Sequence, residues 1–107
     1  MKLITQRLRS QIPPLRAQEH LGSKAVAHVK FFTPDSNWTW YAAEYDGDDL
    51  FFGLVKGLET ELGYFCLSEL ESVRGPLGLP IERDLYWEPK ILLEIAPELF
   101  GSEVKSP

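Results

Sequence analysis

From Ala25 to Leu67 the side chains alternate with a period of two, the spacing of β-strands rather than helices. In residues 24–32, Ala27, Val29 and Phe31 point one way, and Val26, His28, Lys30 and Phe32 the other. In 38–45, Trp38, Trp40, Ala42 and Glu44 share one face, and Thr39, Tyr41, Ala43 and Tyr45 the opposite one. Residues 49–56 set Leu50, Phe52 and Leu54 against Phe51 and Val55, and 61–67 set Leu62, Tyr64 and Cys66 against Phe65 and Leu67. Turn chemistry separates the runs. Thr33-Pro34-Asp35-Ser36-Asn37 combines a fixed φ with side chains that bond nearby amides, Asp46-Gly47-Asp48 is a tight hairpin, and Gly57 opens the next turn. Four strands joined this closely predict an antiparallel meander.

The flanks predict short helices. Thr5 is placed to cap a helix over about 5–11, which Pro13-Pro14 ends, leaving 13–23 as a loop. Ser68-Glu69-Leu70-Glu71 has the spacing of a capping box for a helix over 69–73, stopped by Arg74-Gly75-Pro76. Leu77-Gly78-Leu79-Pro80 is an irregular apolar loop, 81–87 a fifth short strand, and Pro89 starts a helix over 90–95. Both faces of the third and fourth strands carry large apolar groups, so the amino-terminal helix and the carboxy-terminal segment are expected to cover one part each. The predicted class is α+β: a four- to five-stranded antiparallel meander with short helices at the amino terminus, after strand four and near the carboxy terminus. One domain is expected over 1–100, with a frayed tail over 101–107.

Composition narrows the setting. Aromatics at 12% favour strands and a filled core. A single cysteine, Cys66, excludes an internal disulfide and fits a reducing compartment. No apolar run reaches the roughly 20 residues that span a bilayer, and the opening Met1–Arg7 turns polar too early for a secretory leader. A cytoplasmic protein is expected. The net charge of −5 is unevenly spread: residues 1–30 carry six basic side chains and one acidic, residues 31–107 five basic and fifteen acidic. The acidic majority repels a phosphate backbone, while the basic start could touch nucleic acid or an acidic protein. The two halves could equally neutralise each other across the fold.

The chain also resembles a known family. Phe31-Phe32-Thr33-Pro34-Asp35-Ser36-Asn37-Trp38-Thr39-Trp40-Tyr41, Leu50-Phe51-Phe52-Gly53-Leu54-Val55, and Glu61-Leu62-Gly63-Tyr64-Phe65 through Ser68-Glu69-Leu70 are similar to segments of the DUF2958 family. So are Arg74 through Asp84, and the opening Met1–Thr5 followed by Pro13-Pro14-Leu15. The similarity extends over nearly all of residues 1–90. It implies small proteins of bacterial plasmids, integrative elements and phages, with no activity to carry over. The hairpin at Asp46-Gly47-Asp48 is shorter than the family's insertion there, so any function housed in that insertion would be missing.

No residues assemble into a recognisable catalytic or metal-binding motif. Cys66 sits in an apolar strand and reads as a small core residue. His28 and His20 lack zinc-ligand spacing, and the Asp46–Asp49 cluster is too short for a calcium loop. Two constellations remain. Trp38 and Trp40, after the Asp35–Asn37 turn, could stack bases or a peptide, or could simply fill the core. The loop from Arg74 to Glu82, Arg83 and Asp84 gathers apolar and charged groups. Alternatively Leu77, Leu79 and Ile81 plug the sheet, and Arg74 and Arg83 pair with Glu71, Glu82 or Asp84. The binding candidates are therefore Asp35, Asn37, Trp38, Trp40, Arg74, Glu82, Arg83 and Asp84, with no catalytic or metal-ligating residue and no cofactor. A non-enzymatic protein with a protein partner is the leading expectation. Nucleic-acid binding through the basic start and the tryptophans is the second, and a small hydrolase or nuclease using Asp35, Glu82 or Asp84 with Arg83 the third. The sequence leaves the oligomeric state open.

Overall fold

The computed structural model describes residues 1–101. Helix α1 (Gln6–Gln11) is followed by a 3-10 segment at Glu19–Lys24, then β1 (Val26–Ala27), β2 (Val29–Phe32), β3 (Thr39–Tyr45), β4 (Leu50–Lys56) and β5 (Thr60–Cys66). Helix α2 (Leu67–Ser72), β6 (Glu82–Arg83), β7 (Lys90–Ile91) and helix α3 (Leu92–Ile95) complete it. The expected α+β meander is present: β5-β4-β3-β2-β6 is one antiparallel five-stranded sheet, and β1 pairs separately with β7. The expected first strand breaks at His28, whose N–H donates to Ala42 O at 2.8 Å. The fifth strand shrinks to two residues and the last helix starts at Leu92 rather than residue 90. Of the expected frayed tail, residues 102–107 lie outside the described residues.

Each sheet face has its own cover. One face holds Val29, Phe31, Trp40, Ala42, Tyr45, Phe51 and Phe65 beneath Leu3, Ile4, Ile12, Leu70 and Ile81. Phe51 is its centre, fully buried and 4.3 Å from Tyr45, 5.3 Å from Phe65 and 5.6 Å from Phe31 between ring centroids. Such aromatic contacts add roughly 0.5–1.5 kcal/mol each beyond area burial. Thr5 caps α1 as expected, its Oγ1 accepting from Leu8 N. The helix itself buries no residue fully, however; the cover comes from Leu3, Ile4 and Ile12 on either side of it. The other face packs Tyr41 and Leu54 under Ala25, Ala27, Leu92 and Ala96, with Trp87, Ile95 and Phe100 at the margin.

Strict alternation fails inside β3. The β3–β4 register slips between Ala42 and Glu44: Ala42 opposes Gly53, Glu44 opposes Phe52, and Tyr45 opposes Phe51. Ala43 is the extra residue of a β-bulge. Glu44 therefore leaves the face of Trp40 and Ala42 that alternation assigned it, and Tyr45 takes the vacated place in the aromatic core.

The bulge is held by the loop before β1. Gln18 Nε2 donates to Ala43 O and to Val26 O, both at 2.9 Å, and its Oε1 accepts from Val26 N at 2.7 Å. The two carboxylate oxygens of buried Glu44 accept from Arg16 N and Gln18 N at 2.8 Å each. Arg16 sits at φ 73°, a left-handed conformation costly for a side-chain-bearing residue, and the Glu44 bond secures it.

A second correction concerns α2. Ser68 does not cap it as a box; its N–H and Oγ bond instead to the Asp49 carboxylate at 2.8 and 2.9 Å. Asp49 therefore ties the start of β4 to the start of α2 and fixes where β5 ends.

Replacing Gln18 with Ala strands Ala43 O, Val26 O and Val26 N in a part-buried site. At roughly 1–3 kcal/mol per buried group left unpaired, and with partial relaxation, Gln18→Ala is expected to cost about 3 kcal/mol. Urea unfolding checks this through a lower midpoint at unchanged slope.

Candidate functional site

Helix α2 is anchored by buried Leu70 and ends at Val73, whose N–H returns to Glu69 O at 3.1 Å. The chain then folds back on itself. Arg74 bridges Pro80, Gly75 N donates to Leu79 O at 2.9 Å, and Gly78 N donates to Gly75 O at 2.9 Å. Gly78 closes this turn at φ 82°, a conformation open to glycine at little cost.

Asp35 clamps the turn from the opposite side. Its Oδ2 accepts from Leu77 N at 2.8 Å and from Leu79 N at 3.4 Å. Its Oδ1 has no hydrogen-bond partner among the described residues and lies against Gly75, where a Cβ would collide with the carboxylate. A charge-assisted acceptor thus holds apolar residues in a fixed outward pose. Leu77 is 79% exposed and Leu79 43% exposed. The alternative that Leu77, Leu79 and Ile81 all plug the sheet holds only for Ile81, which is buried.

The tryptophans divide. Trp40 is buried in the core, so the pair is not the open two-indole platform. Trp38 is 38% exposed and stacks on Trp40 with centroids 5.9 Å apart. Gly57 lies under the Trp38 ring, where any Cβ would strike it. Thr33 fixes the approach: its N–H donates to Trp38 O, and its Oγ1 accepts from Trp38 N, each at 3.0 Å. Asp35 and Trp38 therefore belong to one closed turn, and the loop from Val73 to Pro80 docks on it.

The other candidates scatter. Asn37 is exposed in that same turn. Arg74 donates to the carbonyls of Glu71 and Val73 at the end of α2, and Arg83 donates to those of Lys2 and Leu3, stapling the amino terminus to β6. Neither makes the carboxylate pairing weighed from the sequence. Asp84 pairs with Lys30 at 3.8 Å and accepts from Tyr86 N. Glu82 opposes Phe32 in the sheet and lines a hollow with Glu71, Arg74 and Pro80. Asp35, Glu82 and Asp84 thus have different partners and surroundings. Burial lowers the pKa of His28, holding it neutral. The Cys66 thiol is pushed up, first by its hydrogen bond to Glu69 and then by burial, which disfavours a nucleophilic thiolate. Among the described residues no group of three or more His, Cys, Asp or Glu side chains is placed to hold a metal ion. No helix among them is long and apolar enough to cross a membrane.

Sequence reasoning missed a second feature, a cleft of about 320 Å³ on the opposite sheet face. Its wall includes Glu44, Arg16, Phe52, Leu62, Tyr64 and Phe100. Nothing local signals it, because Glu44 reaches it only through the bulge.

Fold and site define a small α+β protein with an apolar loop clamped outward by a carboxylate. The family model described as a protein of unknown function, DUF2958, matches residues 3–97, and the chain belongs to that family. No curated protein and no solved structure matched the chain.

Asp35→Ala removes the clamp without touching the core. Hydrogen exchange at the Leu77 amide is expected to speed up about tenfold, the loss of a hydrogen bond to a charged group. Exchange of the β4 amides should stay as in the parent protein. Unchanged exchange at Leu77 would show that Asp35 does not hold the loop.

Proposed function

We propose that this chain is a non-enzymatic protein-binding module whose contact surface is the loop from Val73 to Pro80 together with Trp38. The carrying observation is the Asp35 clamp: a carboxylate accepts from the Leu77 and Leu79 amides and holds both leucines in water. A free apolar loop would lower its energy by folding its leucines inward, whereas a rigid one lowers the ordering cost of binding. The two leucines and the stacked, half-exposed indole, joined through the Asp35 turn, supply exposed apolar and aromatic surface for a contact.

The rim argues for the chemistry of the partner. Glu71 and Glu82 line the hollow beside Arg74 and Pro80, and the whole chain carries −5. A protein surface with an apolar socket ringed by Lys and Arg fits best. A cytoplasmic setting in bacteria carrying plasmids, integrative elements or phages, which the family resemblance implies, belongs to the same proposal. Nucleic-acid binding has less support. Arg9 of the basic segment donates to Gly47 O and lies over the Tyr45 ring, Lys30 pairs with Asp84, and Trp40 is buried.

In-cell crosslinking in the bacterial host, followed by binding of the purified partner, tests the proposal. The parent chain should retain a protein that Leu77→Asp loses at least tenfold. Tyr86→Asp, an equally drastic change at a side chain 92% exposed elsewhere, should retain it. Affinity should fall as salt rises. Equal binding by the Leu77 and Tyr86 variants would refute this surface.

A further inference from the structure

Strand β5 is an edge of the sheet: it pairs with β4 alone among the described residues. Its orientation is fixed at both ends. Gly57 N donates to Glu59 O and Leu67 N donates to Asp49 O, so odd-numbered residues turn their main-chain groups toward β4. In an antiparallel ladder the alternate residues face away. The N–H and C=O groups of Thr60, Leu62, Tyr64 and Cys66 therefore point outward from the edge.

Sheets usually blunt such an edge with a bulge, a proline, lysines or extreme shortness. Here the β4–β5 register runs without a shift through all of Thr60–Cys66, and the strand holds no Pro or Lys. Glu61 is its one charged side chain, and the other exposed side chains are apolar or aromatic. Tyr64 is 61% exposed, Leu62 is 42% exposed, and Leu58 in the preceding turn is 93% exposed. Leu62 and Tyr64 share the face of Phe52, which Tyr64 meets edge-on at 5.1 Å.

We propose that β5 is a homodimer interface, pairing antiparallel with β5 of a second copy about a two-fold axis at Gly63. Gly63 is the middle residue of the strand, so this register overlaps its full length. It sets Leu62 opposite the second copy's Tyr64, and Thr60 opposite the second copy's Cys66, with the outward groups of each pair bonding each other. On the other face Glu61 meets the second copy's Phe65, so no like charges stand opposite one another. The axis itself falls on a non-hydrogen-bonded pair, where strands approach most closely. Gly63 suits that position: it has no side chain, and nothing lies within 4 Å of where a Cβ would be. The same operation sets exposed Leu58 opposite the second copy's Ser68, in the first turn of its α2. Two five-stranded sheets become one continuous sheet, and the second copy's Tyr64 extends the wall of the 320 Å³ cleft.

Sedimentation of the full chain should reveal a reversible species of twice 12.2 kDa. The register gives a sharper reading through Cys66, the one native cysteine. Paired residues lie within disulfide reach, whereas residues 60 and 66 of one extended strand do not. Thr60→Cys treated with copper phenanthroline should give a covalent dimer on a non-reducing gel, and Thr60→Cys/Cys66→Ser should not. Leu62→Lys/Tyr64→Lys sets lysine against lysine twice and should weaken the dimer on the order of a hundredfold. Leu62→Lys/Tyr64→Glu sets lysine against glutamate and should restore it, with circular dichroism showing both variants folded. A monomer at millimolar concentration, or a dimer indifferent to these pairs, would overturn the proposal.

Discussion

One extra residue in β3 organises this molecule. Without the bulge at Ala43, Glu44 would lie with Trp40 and Ala42 in the aromatic core, as an unpaired carboxylate among Phe31, Phe51 and Phe65. Burying such a group uncompensated costs several kcal/mol. The bulge moves Glu44 to the opposite face, where two amides receive it, and gives its place to Tyr45. The carbonyl that the bulge frees is taken by Gln18, which also grips both main-chain groups of Val26. Core, β1 and the loop from Pro13 to Ser23 are thus fixed by one irregularity.

The same economy of short polar clamps recurs around the sheet. Asp46 Oδ1 accepts from the amides of Asp48, Asp49 and Leu50, closing the β3–β4 hairpin and holding its carboxyl below the usual range. Asp49 secures α2, and Asp35 secures the loop after it. Each clamp is a carboxylate taking main-chain N–H groups that have no strand or helix partner. The acidic excess of the second part of the chain is therefore largely structural at these positions, and charge counting alone gives a poor guide to its partners.

Much of this was legible in the residues. Period-two alternation located β3, β4 and β5 to within about a residue, because each has one side on a dense core, whereas the expected first strand splits at His28 into β1 and β2. The Thr5 cap follows local rules and holds, while α2 ends at Ser72 with an extended Val73 cap, ahead of the Gly75-Pro76 pair. What escaped prediction depends on long-range partners. Ala43 carries no mark of a bulge; only Gln18, twenty-five residues earlier, makes one affordable. Ser68 had the spacing of a cap, but Asp49 outcompetes the helix for it. Trp38 and Trp40 are alike in sequence, and Gly57 and the core decide which is seen by water. Among the site candidates, the juxtaposition of Asp35 with Arg74–Pro80 was not visible, although both were singled out. Arg83 and Asp84 turned out to be held in structural contacts.

Amide exchange at Arg16 and Gln18 probes the bulge most directly. Both residues lie in a loop that local rules would leave open to solvent. If Glu44 and Ala43 are placed as described, the Arg16 and Gln18 amides exchange as slowly as those of β3 and β4, through global unfolding alone. Exchange at ordinary loop rates would mean that Glu44 does not hold them and that the strand crosses this point without the bulge.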